Sequence, residues 1–175
     1  MPAYVALIRA IGPVTHAKMR MAALRDACED LGLEDVATVG NTGNVLFRSR
    51  KGVRAARALV QEAVAGFGLG PANEVFVRTA AEMAEVVAAN PFPAAAAERA
   101  AALGVCSFHA APDWGPLRDW PGPEQLAMIG SHLVVDYAGQ LTGSKLRIEK
   151  LLGATMTQRN WTVFAGLSER VAGLG

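Results

Sequence analysis

Cysteine is scarce in this sequence. There are two among 175 residues, Cys28 and Cys106, with no CxxC between them. That leaves no redox pair and points to a reducing, cytoplasmic setting. Charge is sparse as well: 19% of residues are charged and the formal net charge is +1, so nothing draws the whole chain towards nucleic acid or an anionic membrane. No apolar run approaches the roughly 18 residues of a membrane span, so no membrane partner is expected. The first residues lack a basic region followed by a long apolar stretch, so no signal peptide is expected either. The three histidines, His16, His109 and His132, stand apart from one another. There is no G-x-S-x-G, no Ser/His/Asp set in a recognisable context and no metal-ligand spacing. What is plentiful is apolar: 51% of the chain is hydrophobic, which fits a well-buried globular protein of one domain or two small ones.

Taken in order, Tyr4–Ile8 is a short apolar run that reads as a buried strand, with Arg9 at its carboxyl end. A loop over 10–17 leads to a helix over 18–31, on which Met21, Leu24, Cys28 and Leu31 recur at helical spacing. Strands over 36–39 and 44–48 flank the Gly40-Asn41-Thr42-Gly43 turn as a hairpin. A second helix covers 52–67 and a fourth strand 74–78. This β-α-β-β-α-β order is the split pattern of a ferredoxin-like plait, whose second sheet face needs a cover or a partner. A helix over 79–89 follows, capped by Thr79, and Asn90-Pro91-Phe92-Pro93 breaks it. The Ala-rich stretch 94–103 favours helix. The second half then offers strands over 104–110, 125–129 and 132–137, and an irregular Pro/Trp loop over 112–123. After a loop over 139–142 and the stretch from Gly143, a last helix begins near Gln158. The expected class is therefore α+β: two tandem plaits, the second less regular, with a C-terminal helix. The expected division is 1–90, a connection over 91–103, and 104–175.

The most site-like stretch is Gly143–Trp161, GSKLRIEKLLGATMTQRNW. Ser144 suits the N-cap of a short helix, and free N–H groups beside Lys145 would make an anion pocket. A helix opening after Thr157 places Arg159 and Asn160 in its first turn. A cation there opposes the helix dipole, so Arg159 should have another partner, a protein carboxylate or a ligand anion. The plain alternative makes Lys145 and Arg159 surface charges, Asn160 a cap and Trp161 core. An isolated G-S-K lacks the loop of a P-loop.

Several segments together resemble the bacterial family called domain of unknown function 1697. They are YVALIRAI (Tyr4–Ile11), LRDACEDLGLEDV (Leu24–Val36), TGNVLF (Thr42–Phe47), AANPFP (Ala88–Pro93), GSKL (Gly143–Leu146), EKLLG (Glu149–Gly153) and RNW (Arg159–Trp161). The resemblance implies two tandem α/β plaits and no assigned activity. Its pattern points to Arg9, Asn44, Ser144, Lys145, Arg159, Asn160 and Trp161 as ligand-binding residues. The chain departs from the family after the first strand, where Ala10 replaces a glycine and Gly12-Pro13-Val14-Thr15-His16 replaces a glycine-rich loop.

Three functions compete. The first is binding of a small anion, a phosphate or carboxylate, between the plaits by converging donors, with any reaction and cofactor unassigned. Of the histidines, His16 alone stands out, in the altered loop near Arg9. Asp136 and Glu149 are the carboxylates closest in sequence to Lys145 that could hold a metal. The second is a protein-interaction module that uses the open sheet face and the Trp114/Trp120 loop. The third and weakest is nucleic-acid binding through Arg48, Arg50, Lys51, Arg54 and Arg57, since the third strand lacks an RNA-reading aromatic pattern. The sequence does not set the oligomeric state.

Overall fold

A computed structural model describes residues 1–139 and 141–175. Of the loop expected over 139–142, Gln140 lies outside the described residues. The architecture is mixed α+β, with two four-stranded antiparallel sheets and eight α-helices among the described residues. The chain divides into two compact units, residues 1–83 with 167–175, and residues 84–166.

The first unit runs β1 (Ala3–Ile8), α1 (Pro13–Lys18), α2 (Met21–Asp30), β2 (Glu34–Val39), β3 (Asn44–Arg48), α3 (Val53–Ala65) and β4 (Val75–Thr79). Its strand order is β2-β3-β1-β4. Alternation sends Tyr4, Ala6, Ile8, Val45, Phe47, Val75 and Val77 to one face, where they pack with Leu24 and Cys28 of α2 and Ala56, Val60 and Val64 of α3. Each large side chain buried there contributes about 1.5–3 kcal/mol relative to exposure. Val5, Leu7, Leu46 and Phe76 point to the other face and are equally buried. The face expected to be open is covered, which is why β1 reads as an unbroken apolar run rather than an alternating one. The edge strand β2 carries an irregularity between Glu34 and Ala37, with Asp35 at φ 50°. Such a bulge discourages pairing with another chain.

The second unit holds α5 (Pro93–Glu98), β5 (Leu103–Ser107), α6 (Gly115–Arg118), β6 (Gln125–Ile129), β7 (His132–Asp136), α7 (Ile148–Leu152) and β8 (Thr157–Asn160). Two further helices, α4 (Ala80–Ala89) and α8 (Trp161–Leu174), follow β4 and β8 directly. The strand order β6-β7-β5-β8 repeats that of the first sheet. One face, with Cys106, Leu133 and Val135, is closed by Phe108, Leu117, Tyr137, Leu146 and Ile148, and by half-buried Trp114 and Trp120. Trp114 stands edge-on to Phe108, with ring centroids 5.4 Å apart. Both loop tryptophans thus pack inward.

Four expectations about local structure need correction. The segment over 10–17 is not all loop: Pro13 opens α1, where its missing N–H is no loss, and Thr15 exchanges hydrogen bonds with the Gly12 backbone. The helix expected over 18–31 begins only at Met21. The Pro/Trp loop contains the short helix α6. Most consequentially, Thr157–Asn160 is a strand, with Val105 opposite Arg159 and Cys106 opposite Gln158. Pairing with a segment fifty residues earlier overrides the local pattern there, and the helix starts at Trp161. Asn160 caps it by accepting from the Val163 N–H at 2.9 Å.

Candidate functional site

The second unit contains a cavity of about 440 Å³ lined by the Trp120–Glu124 segment, Tyr137 and Gly143–Lys145. Two loops make its walls, and one carboxylate ties them together. Trp120 Nε1 donates to Glu124 Oε2 at 2.7 Å, and the Ser144 hydroxyl donates to Glu124 Oε1. Ser144 Oγ in turn accepts from the Leu146 N–H at 3.2 Å, and its carbonyl accepts from Arg147 Nη1 at 2.9 Å. The Ser144 and Trp120 donors hold the Glu124 carboxyl below its usual pKa, so it is ionised at neutral pH. Gly122 makes this clamp possible. A Cβ there would come within 2.5 Å of both Glu124 Oε2 and Trp120 Nε1. Tyr137 is fixed by donating its hydroxyl to Gln158 Oε1 at 2.7 Å, and burial pushes its pKa up.

Of the seven residues expected to bind ligand, the structure brings Ser144 and Lys145 to this cavity. Ser144 is not a helix N-cap, because α7 starts at Ile148 with Arg147 in that position; its hydroxyl serves Glu124 instead. Lys145 is exposed. Arg159 is buried. Its Nη1 donates to Thr157 Oγ1 at 2.8 Å and to the Gln158 carbonyl at 2.9 Å, and burial lowers its pKa to about 10. It shares a sheet face with Val105, whereas Gln158, which braces Tyr137, lies on the other. The dipole argument for a partner of Arg159 therefore lapses, since Arg159 is not in a helical first turn. Asn160 is the cap described above and Trp161 is core. Arg9 and Asn44 belong to the first unit. Asn44 is buried, donating Nδ2 to the Val39 carbonyl at 3.1 Å and to Thr42 Oγ1 at 3.0 Å. Arg9 follows β1 in a turn held by Asn73, whose Nδ2 donates to the Arg9 and Ala10 carbonyls.

The other sequence candidates have structural duties. Asp136 is bound by Arg99 at 2.7 Å; burial raises its pKa, and the Arg99 and Ala138 hydrogen bonds more than offset that. Glu149 accepts from the Met156 N–H at 3.0 Å. No group of three metal-ligating side chains occurs among the described residues. In the basic run, Arg48 pairs with Asp35 at 3.2 Å, while Arg50, Lys51 and Arg54 are exposed. His16 sits on α1 with its Nδ1 buried. Sequence reasoning missed Glu124, Gly122 and Tyr137 as site residues. The one available signal was Trp120-Pro121-Gly122-Pro123-Glu124, where a glycine between prolines separates an indole donor from a carboxylate.

No helix among the described residues is long and apolar enough to cross a membrane. No curated protein matches the sequence. In structure the chain is similar to the conserved bacterial protein SP0830 from Streptococcus pneumoniae, with a TM-score of 0.73 at 18% identity over 98% of this chain and 99% of that one. A family profile described as protein of unknown function (DUF1697) matches residues 1–129, which end at β6 and stop short of Ser144 and Lys145. The chain belongs to that family, the DUF1697 proteins of unknown function.

Proposed function

We propose that this protein binds a small molecule bearing a phosphate or carboxylate, and that the site is the cavity of the second unit. The observation that carries the reading is the cavity itself: about 440 Å³, walled by Trp120, Pro121, Pro123 and Tyr137, with Lys145 the cation in its lining. A mostly apolar concavity with a few placed polar groups is the usual form of a small-molecule site. Lys145 supplies the charge for an anionic group, and the prolines and aromatics supply area for the rest of the ligand. No reaction is assigned. We also propose that each unit is a ferredoxin-like plait, supported by the β-α-β-β-α-β order and the strand order the two sheets share.

A thermal-shift panel of nucleotides, phosphorylated metabolites and carboxylates, at low and physiological salt, tests the binding reading. An anion should raise the melting temperature, and Lys145→Ala should weaken its binding about tenfold, as expected for loss of one charge-assisted contact. An anion bound equally well by Lys145→Ala would remove the site from this cavity.

A further inference from the structure

Glu124 is an odd residue to find in the wall of an anion pocket. It is only 7% exposed, yet it lines the cavity together with Lys145. It is ionised, because both of its oxygens accept from neutral donors, Trp120 Nε1–H and Ser144 Oγ–H. An ionised carboxylate accepts about four hydrogen bonds, so two donors leave capacity for more. Among the described residues neither Glu124 nor Lys145 forms an ion pair, with each other or with another side chain. One cavity thus presents two opposite charges that do not neutralise each other.

That arrangement constrains the ligand. A purely anionic molecule would meet Lys145 favourably and Glu124 unfavourably. A purely cationic one would have the converse problem. A molecule with one group of each sign satisfies both. Trp120 adds a further constraint: its single N–H is committed to Glu124, so the indole has no donor left for a ligand anion.

We infer that the ligand of this cavity is zwitterionic, with an ammonium that donates to Glu124, an anionic group that faces Lys145, and a compact apolar body against Trp120 and the prolines. This rests on the proposal that the cavity is the ligand site. It narrows the chemistry to α-amino acids, amino-phosphates and molecules built like them.

The test uses three matched sets, each with a zwitterion, its anion-only relative and its amine-only relative. The sets are leucine, isocaproate and isopentylamine; phenylalanine, hydrocinnamate and phenethylamine; and phosphoethanolamine, ethyl phosphate and ethanolamine. Binding is measured by calorimetry on the full chain, up to millimolar concentration. In at least one set the zwitterion should bind about tenfold tighter than either relative, the value of one charge-assisted hydrogen bond. Glu124→Gln keeps the shape of the side chain: its amide oxygen can still accept from Trp120 Nε1–H, and its NH2 can donate to Ser144 Oγ, a hydroxyl that both donates and accepts. The substitution should remove the preference for the amine while leaving the anion-only compound bound as well as before or better. Lys145→Met should do the converse. Were Glu124 only a brace between loops, Glu124→Gln would weaken the zwitterion and the anion alike, and the inference would be overturned. Anion-only compounds that bind as tightly as their zwitterions would overturn it too, while leaving the cavity as an anion site. No binding by any compound of the three sets would overturn the zwitterion inference, while the anion reading stands or falls separately on the panel of nucleotides and phosphorylated metabolites.

Discussion

In the first unit, the connection between the first two strands carries helices of six and ten residues, and that between the last two carries one of thirteen. In the second unit the corresponding helices have four and five residues. The sheets beneath share their strand order, and their last strands share a detail. Arg78 and Arg159 are both buried, both donate Nη1 to the carbonyl of the preceding residue, and both precede a residue that caps a helix, Thr79 or Asn160. What differs is how one face is closed. Two full helices bring apolar side chains at regular spacing and leave a continuous core. Two helices of little more than one turn cannot span a sheet, so tryptophans, prolines and a hydrogen-bonded carboxylate complete the closure. The cavity lies where loop side chains stand in for helices packed ridge into groove.

The comparison predicts a difference in the cost of truncating one leucine in each cover. Leu24→Ala on α2 should cost about 3–5 kcal/mol, because packed helices relax little around the hole, while Leu117→Ala on α6 should cost about 2–3 kcal/mol. Urea unfolding of the two variants measures both, and a larger loss at Leu117 would break the argument. Next in size is Gly122→Ala. Its added methyl displaces the Trp120–Glu124 contact, at a cost of about 1–3 kcal/mol for a polar group left unpaired. Acrylamide should then quench tryptophan emission more readily than in the parent.

The third prediction concerns acid. The Glu124 carboxyl is held below its ordinary value by the Ser144 and Trp120 hydrogen bonds, so its contribution to loop closure is present above the ordinary carboxylate range and lost as pH falls through the lowered value. Tryptophan near-ultraviolet dichroism should hold from neutrality down into the carboxylate range and decline below it. Glu124→Gln should flatten that step while the Asp136–Arg99 pair, also a carboxylate with a lowered pKa, continues to titrate. The smallest effect belongs to the first unit. Ala10 adopts φ 58°, a left-handed conformation that costs a non-glycine residue about 1–2 kcal/mol. Ala10→Gly should stabilise the protein by about 0.5–1 kcal/mol once glycine's greater freedom in the unfolded chain is subtracted, readable as a raised urea midpoint.

Legibility in the sequence followed the range of the forces involved. The strands β1, β5 and β7 are buried on both faces; β1 appears as an unbroken apolar run, β5 and β7 as shorter apolar centres, and α2 and α3 as helical spacing. Thr157-Gln158-Arg159-Asn160 has no pattern of its own. Its strand character comes from the partner residues Gly104–Ser107, so a local reading turned it into a helical first turn. The site divides in the same way. Ser144 and Lys145 could be picked out because a serine and a lysine after glycine carry chemistry on their face. Glu124 could not, since its meaning depends on Trp120 and Ser144 meeting it from two loops.

The two cysteines bear on how that division into units can be followed in time. Cys28 lies in the first unit and Cys106 in the second, both without solvent exposure. Burial lifts the Cys28 thiol to about 12 and raises Cys106 as well, so neither forms the thiolate that reacts with alkylating reagents. The folded protein should therefore react slowly with such reagents, and each unit carries its own chemical clock. Pulsed alkylation followed by mass analysis of the two peptides would time the opening of each half separately, with no substitution introduced.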